Sequence, residues 1–306
     1  MVESGEKKQV LRLNTLALKR AKTLDDALQL LAEDPNRRVI AGGTDMLVQA
    51  RLTTAPVPLV DISGVREMQG VEVQADGGVR IGAGICFSTL TAHEHIQAHY
   101  PLLVTACNTI GSLQLRNRAT VGGNLINAAP CADSMPPLII YDAQVELQRH
   151  GAAPRTMPLS DFITGGYKTQ IAQGELLTAA ILPPPPRHEG LQQRYLQLGR
   201  RNALNITRQS FTGQFVVNPS GELTYCRLVD GALFSKPQRL IPIEKCLTGR
   251  RLNAALIQEG AALLQKMLDD AIGKRWSAPY KIPAGVEMLT QMLEEVLANK
   301  SGKEDV

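Results

Sequence analysis

RATVGGNLINAAPCADSMPPL, residues 118–138, is the segment around which the rest of the chain is arranged. It sets Gly122, Gly123 and Asn124 between two polar residues, Thr120 and Asp133, with Ala119, Ala128, Ala129, Ala132 and Ser134 filling the intervals. Paired glycines give up much backbone freedom when ordered, and Pro130, Pro136 and Pro137 interrupt hydrogen-bond ladders, so this composition predicts a loop rather than a helix or strand. A long small-and-polar loop inside an apolar chain lets backbone approach another molecule closely. Upstream, Val39-Ile40-Ala41-Gly42-Gly43-Thr44-Asp45 has the same character. Two separated glycine turns point to one extended ligand held from both sides.

The chain around these turns is that of an ordinary soluble globular protein. Its 306 residues, 44% hydrophobic and 20% charged, are enough for two domains. A formal net charge of +4 is too mild to indicate nucleic acid, and no basic run is interleaved with aromatics. The polar start MVESGEKKQVLRLN has no apolar core of a signal peptide, and no stretch reaches the roughly 20 apolar residues of a membrane helix. The five cysteines are scattered without a CxxC, so neither zinc nor an iron–sulfur cluster is expected on this chain, and reduced cytoplasmic thiols are the simpler reading.

Thr23 is placed to cap a helix whose apolar face is Leu24, Ala27, Leu28 and Leu31, with Pro35-Asn36 ending it. Residues 38–40 then form a short strand that runs into the first glycine turn, and a helical turn follows from Met46 to Arg51, capped by Thr44 or Asp45. Strand, glycine turn and helix start together aim backbone N–H groups at an anion. Another strand at 58–62 completes a small βαβ-like unit. Further on, the pattern predicts a strand at 79–84, a helix from a Ser88 cap to about His95, a helix at 102–110, and strands at 138–147 and 174–182. Four prolines, 183–186, make a stiff connector and the clearest boundary. Beyond it lie predicted strands at 193–199, 206–217 and 223–229, and helices at about 252–270 and 286–298. Strands followed by helices indicate an α+β unit. The polar tail from Lys300 is expected to fray.

Most other chemical candidates have ordinary explanations. His93, His95 and His99 lack the carboxylate or thiolate that would complete a metal site, and a solvated helix face accounts for them. Ser112, Ser134 and Cys131 have no adjacent base and no GxSxG. Tyr167 and Tyr195 are candidates to touch a ring system, although single tyrosines are mostly packing residues. Arg116, Arg118, Arg200 and Arg201 are candidates for phosphate or protein contacts against a default of surface solvation. Only the two glycine stretches resist a purely structural account.

Those stretches carry a resemblance. Residues 41–45 (AGGTD), 114–125 (QLRNRATVGGNL) and 130–134 (PCADS), with supporting matches at 174–177 (GELL) and 199–204 (GRRNAL), resemble the FAD-binding medium subunit of molybdenum hydroxylases. That family includes the flavin subunits of xanthine, carbon monoxide and nicotinate dehydrogenases. The likeness runs from about residue 10 to about residue 230.

The resemblance implies an α+β protein: a two-subdomain, PCMH-like FAD-binding domain (1–62 and 63–182), then a C-terminal α+β domain (187–300) with a three-stranded antiparallel sheet and helices. It implies FAD contacts from Val39, Ile40, Ala41, Gly42, Gly43, Thr44 and Asp45 on one side. On the other it implies Ile110, Ala119, Thr120, Gly123, Asn124, Asn127, Asp133, Leu177 and Gln197. Gln197 departs from the lysine of several relatives, which leaves open both charge-based tuning of the flavin and the identity of the acceptor. A flavoprotein subunit with no catalytic residue or metal ligand of its own is implied. Its partners would be a molybdopterin-binding large subunit and a small subunit with [2Fe-2S] clusters, in a dimer of heterotrimers, with NAD+ or another acceptor taking the electrons. Residues 111–118 are the expected contact surface for the electron donor. The alternatives are a self-contained FAD-dependent oxidoreductase with its pocket under the C-terminal domain, disfavoured because His188 is the only histidine beyond residue 186, and a scaffold that has lost its cofactor.

Overall fold

The computed structural model describes residues 17–50, 57–201 and 206–299. Arg51, residues 202–204 and the tail from Lys300, on which some expectations fell, lie outside these.

The first sheet is built from β1 (Leu18–Arg20), β2 (Arg38–Ile40) and β3 (Leu59–Asp61), all parallel in the order β1-β3-β2. Between β1 and β2 lies α1 (Leu24–Glu33), whose Thr23 side chain accepts from the Asp26 amide and whose Ala27, Leu28, Leu30 and Leu31 are buried. The helical turn α2 (Met46–Ala50) follows β2. Parallel strands need crossovers, and α1 supplies one that also covers a face of the sheet.

The second sheet is antiparallel, in the order β4 (Val71–Val73), β5 (Val79–Gly82), β10 (Glu175–Leu182), β6 (Gln144–Arg149) and β7 (Arg155–Pro158). The chain leaves this sheet after β5 for a run of short helices: α3 (Phe87–Ala92), α4 (Glu94–His99), α5 (Pro101–Asn108), α6 (Leu113–Arg116), α7 (Val121–Asn127) and α8 (Met135–Ile140). After β7 come α9 (Leu159–Phe162) and the small hairpin β8 (Ile163–Gly165) and β9 (Lys168–Thr169).

Several sequence expectations change here. The central segment is not a loop: α7 lies within it and α8 begins in it. The glycines of α7 cost about 1 kcal/mol each relative to alanine, but the helix must press against the end of β5. A Cβ on Gly122 would stand 2.6 Å from the Ala83 Cβ, and the Gly122 amide donates to the Ala83 carbonyl at 2.8 Å. In α8 the prolines occupy the first turn, where amides have no intrahelical acceptor, so they do no harm. The strand expected at 138–147 therefore begins only at Gln144. Cys86 rather than Ser88 is the cap of α3, and the helix stops at His93 before α4 restarts.

The third sheet is the antiparallel meander β11 (Gln192–Leu198), β12 (Gln209–Val217), β13 (Leu223–Gly231) and the two-residue β14 (Gln238–Arg239). Its three long strands match expectation, and β14 adds a short fourth. α10 (Ile241–Leu247), α11 (Ala254–Ile272) and α12 (Ala278–Asn299) follow. Helix α12 starts earlier than expected and continues through Pro283. Phe211, Phe215 and Leu228 pack with Leu264, Leu289 and Leu293 in one hydrophobic core. The opposite face of the sheet meets α5 and α8. The sheet is thus covered on both sides, which is why Ser210, Thr212 and Gln214, polar by sequence, are buried. No described helix is long and apolar enough to cross a membrane.

Candidate functional site

The turn after β2 and the helix α7 face each other across a cleft of about 350 Å³. Gly43 takes φ = 71°, a conformation that favours glycine, and its carbonyl accepts from the Leu47 amide at 3.2 Å, so the turn feeds directly into α2. The Asp45 carboxylate accepts from the Gln49 side chain and its carbonyl from the Val48 and Gln49 amides. Gly42 lies against the backbone of Arg118: a Cβ there would collide with the Arg118 carbonyl oxygen and come within 2.6 Å of its carbonyl carbon. The Arg118 guanidinium donates back to the Gly42 carbonyl at 3.5 Å. The two glycine stretches are therefore in direct contact.

Their donors are used differently. Within α7 the Thr120 hydroxyl accepts from the Gly123 amide at 3.1 Å, while the Val121 and Gly122 amides bond to Ile85 and Ala83. The helix start is thus consumed by the protein itself. The amides of Gly42, Gly43 and Thr44 donate no hydrogen bond to another described residue, and all three residues line the cleft. Three successive N–H groups with no acceptor among the described residues, on the wall of a cleft, suit a phosphate. From the α7 side, Ala119, Thr120, Gly123, Asn124 and Asn127 complete the wall, and the Asn124 side chain is held by a 2.6 Å bond from Ser134.

A second, apolar slot of about 100 Å³ lies behind, lined by Leu177, Leu176, Ile62 and Ala83 and sharing Val39, Ala41, Thr120, Gly123 and Ile126 with the cleft. A cleft with free amide donors joined to a largely apolar slot fits a dinucleotide such as FAD.

Of the expected contacts, the structure brings Val39, Ile40, Ala41, Gly42, Gly43, Thr44, Asp45, Ala119, Thr120, Gly123, Asn124 and Asn127 onto the cleft, and Leu177 onto the slot. Asp133, Gln197 and Ile110 do not line either. Asp133, buried, accepts at Oδ1 from the Tyr195 hydroxyl at 3.0 Å and the Thr207 hydroxyl at 2.6 Å. Gln197 donates to Thr207 and to Thr109. Burial pushes the Asp133 carboxyl above its usual range, against the pull of the hydrogen bonds from Thr207, Tyr195 and Gln197. The same burial, with the neighbouring Asp133 charge, holds the Tyr195 phenol well above its usual value. Ile110 is half-buried against the first core.

Arg38, Ile126 and Tyr167 also line the cleft and were not among the expected contacts. Tyr167 was legible in the sequence as a candidate to touch a ring system; Arg38 and Ile126 carried no distinguishing signal. Arg116 turns inward, donating to the carbonyls of Ile110 and Gly111 beyond α5, whereas Leu113 and Leu115 of α6 stand exposed. Among the described residues no group of three His, Cys, Asp or Glu side chains converges to hold a metal ion.

Comparison with known proteins agrees with this geometry. Residues 14–185 match the FAD binding domain in molybdopterin dehydrogenase. The chain is 31% identical to the xanthine dehydrogenase FAD-binding subunit of Escherichia coli O157:H7 over 93% of its own length and 97% of that protein. It is 27% identical to the nicotinate dehydrogenase FAD-subunit of Eubacterium barkeri, over 92% and 96% of the two chains. A chain of the reconstituted CO dehydrogenase from Oligotropha carboxidovorans superposes with a TM-score of 0.83 at 25% identity, covering 93% of this chain and 98% of that one. This chain therefore belongs to the family of FAD-binding subunits of the molybdenum-dependent dehydrogenases and hydroxylases.

Proposed function

We propose that the chain is the electron-transfer subunit of a multi-subunit molybdenum hydroxylase, standing between the [2Fe-2S] clusters of a partner subunit and NAD+ or another acceptor. The observation that carries this reading is the cradle of unspent amides at Gly42, Gly43 and Thr44 beside the apolar slot at Leu177. In it, the cradle holds the pyrophosphate, Asn124 and Asn127 bond to polar groups of the bound molecule, and the slot excludes water from one ring. FAD supplies the redox chemistry when bound, accepting electrons singly and delivering them singly or in pairs; the chain binds and orients it. Asp133 and Gln197 are proposed to belong to the same site from behind, through the Tyr195 and Thr207 network. Residues 1–62 and 63–182 form its two FAD-binding subdomains, and 187–300 the appended domain.

The substrate site, the molybdenum cofactor and the clusters then belong to a large and a small partner subunit, paired as a dimer of heterotrimers in the cytoplasm. The exposed Leu113 and Leu115 beside the cleft residue Ala119 support docking of the small subunit at 111–118. Purification of the chain alone and with its partners tests the reading. A yellow protein that oxidises no organic substrate by itself, and whose flavin is reduced by substrate only in the complex, is expected. Turnover by the isolated chain, or failure to take up FAD, refutes it.

A further inference from the structure

The chain's single tryptophan, Trp276, stands 92% exposed in the turn between α11 and α12. An indole left in water forgoes one of the largest burial gains any side chain offers. It does not stand alone. Tyr280, in the first turn of α12, and Ile206, shortly before β12, are exposed as well. The Arg208 guanidinium lies 5.2 Å from the centre of the Tyr280 ring, so the two elements meet at the surface. The Gln209 side chain, one residue on, donates to the Lys281 carbonyl at 2.9 Å and ties the start of β12 to the start of α12. Thr207, between Ile206 and Arg208, turns inward and donates to the Asp133 carboxylate at 2.6 Å. The patch is thus one residue removed from the network proposed to support the cofactor site.

Its charge says what covers it. Lys274 and Arg275 immediately precede the tryptophan and are exposed. Among the described residues no carboxylate forms a salt bridge with Lys274, Arg275 or Arg208, Asp269 and Asp270 in the last turn of α11 included. The crowding of positive charge is felt at Lys281. Burial holds its ammonium below the usual value, and Arg275 and Arg208 push it lower still, against the pull of Asp230 and Cys131. Tryptophan, tyrosine and arginine are the residue types that anchor protein interfaces. So exposed an indole has no wall facing it, whereas sites for small molecules are concave, so the occupant is the surface of another protein. A permanent subunit interface is depleted of charge at its centre. Unpaired cations around aromatic anchors suit a transient contact instead, in which opposite charge steers the encounter. A flavin that receives electrons also needs an outlet for them.

We propose that the patch at Trp276, Tyr280, Arg208 and Arg275 docks an acidic one-electron carrier protein that takes electrons from the flavin; this rests on the electron-transfer reading above. Each fully reduced flavin passes one electron to each of two carrier molecules and releases two protons to water. The chain purified with its partner subunits is titrated with dithionite until its flavin is just reduced, then mixed in a stopped flow with rubredoxin, a small acidic carrier. Basic cytochrome c and uncharged benzoquinone serve as controls. Rubredoxin should be reduced faster than cytochrome c, at a rate that falls about tenfold from low to physiological salt. Lys274→Glu combined with Arg275→Glu, and separately Trp276→Ala, should slow rubredoxin about tenfold at low salt. Flavin content, subunit content and the benzoquinone rate should stay as in the wild type, since all three residues lie on an exposed turn. Wild-type reduction of rubredoxin no faster than of cytochrome c, or variants with the wild-type rubredoxin rate, overturn the proposal alone. So does loss of a partner subunit from the variants, which would make the patch a permanent interface, or a selective loss of NAD+ reduction, which would make it a nucleotide site. A wild-type complex that holds no flavin overturns it together with the reading on which it rests.

Discussion

Gly42 touches the peptide between Arg118 and Ala119 so closely that no side chain fits between them, although the two sites are 76 residues apart in the chain. Gly42 and Ala119, on the two sides of this contact, both line the cleft. Gly42→Ala should consequently force them apart. Overpacking costs typically about 1–3 kcal/mol, and here the obstacle is backbone, which cannot swing away. A lower melting temperature together with loss of flavin absorbance after gel filtration is expected; a variant with wild-type flavin content would show that the contact is not needed to shape the cleft.

Gly43 acts differently. Its φ of 71° is the constraint, and a Cβ there would meet the Leu47 and Ile40 side chains at 3.1 and 3.4 Å. Asparagine tolerates this region and valine does not. Gly43→Asn should therefore retain most FAD affinity in a fluorescence titration, while Gly43→Val loses it through distortion of the turn. Equal loss in both would mean that the turn tolerates no side chain at all.

Thr120→Ala removes the hydroxyl that caps α7 and should destabilise the fold by about 1 kcal/mol, with Thr120→Ser close to wild type. Thermal unfolding of the FAD-free chain separates this from any cofactor effect.

Replacing Asp133 by Ala strands the Tyr195 and Thr207 hydroxyls in a buried place, at a cost of about 1–3 kcal/mol. A double-mutant cycle with Tyr195→Phe, read by urea unfolding, should show strong coupling. If the two substitutions add independently, the hydrogen bond between them carries no weight.

Asp230 offers a pH test. It is fully buried on β13, its Oδ1 has no partner, and burial pushes its carboxyl up to about 7. A folded-state value above the unfolded one means that the native chain holds the proton more tightly. The stability this provides is complete below about pH 4 and is lost as pH rises through about 7. Asp230→Asn should flatten that part of the profile, so that the urea midpoints of the two proteins diverge between about pH 4 and about pH 7, the window set by the two values, and run parallel above it. Parallel profiles would place the titration elsewhere.

The sequence carried the strands well, because 38–40, 79–82 and 175–182 are apolar runs bounded by turn residues. It carried the cradle too, since glycine pairs before Thr-Asp have few uses other than close approach. It could not carry α7. Gly122 and Gly123 read as a loop unless one knows that Ala83, some forty residues earlier, presses on the helix. The same holds for Asp133, whose partners Tyr195 and Thr207 lie beyond the proline connector. Ser210, Thr212 and Gln214 are polar by sequence and yet form an internal seam. In each case the deciding neighbour is distant in the chain, and local composition holds no record of it.

That seam has a consequence for how the molecule comes apart. β11 and β12 are laid against α5 and α8, and Tyr195, Thr207 and Gln197 are bonded to Asp133 and Thr109 across the join. Trypsin acting at the exposed Arg187, just beyond the proline run, would cut the polypeptide without releasing either half. The two fragments should migrate as one species under native conditions and separate only in denaturant, so this connector is a place where the chain can be severed, or lengthened, while the flavoprotein stays whole.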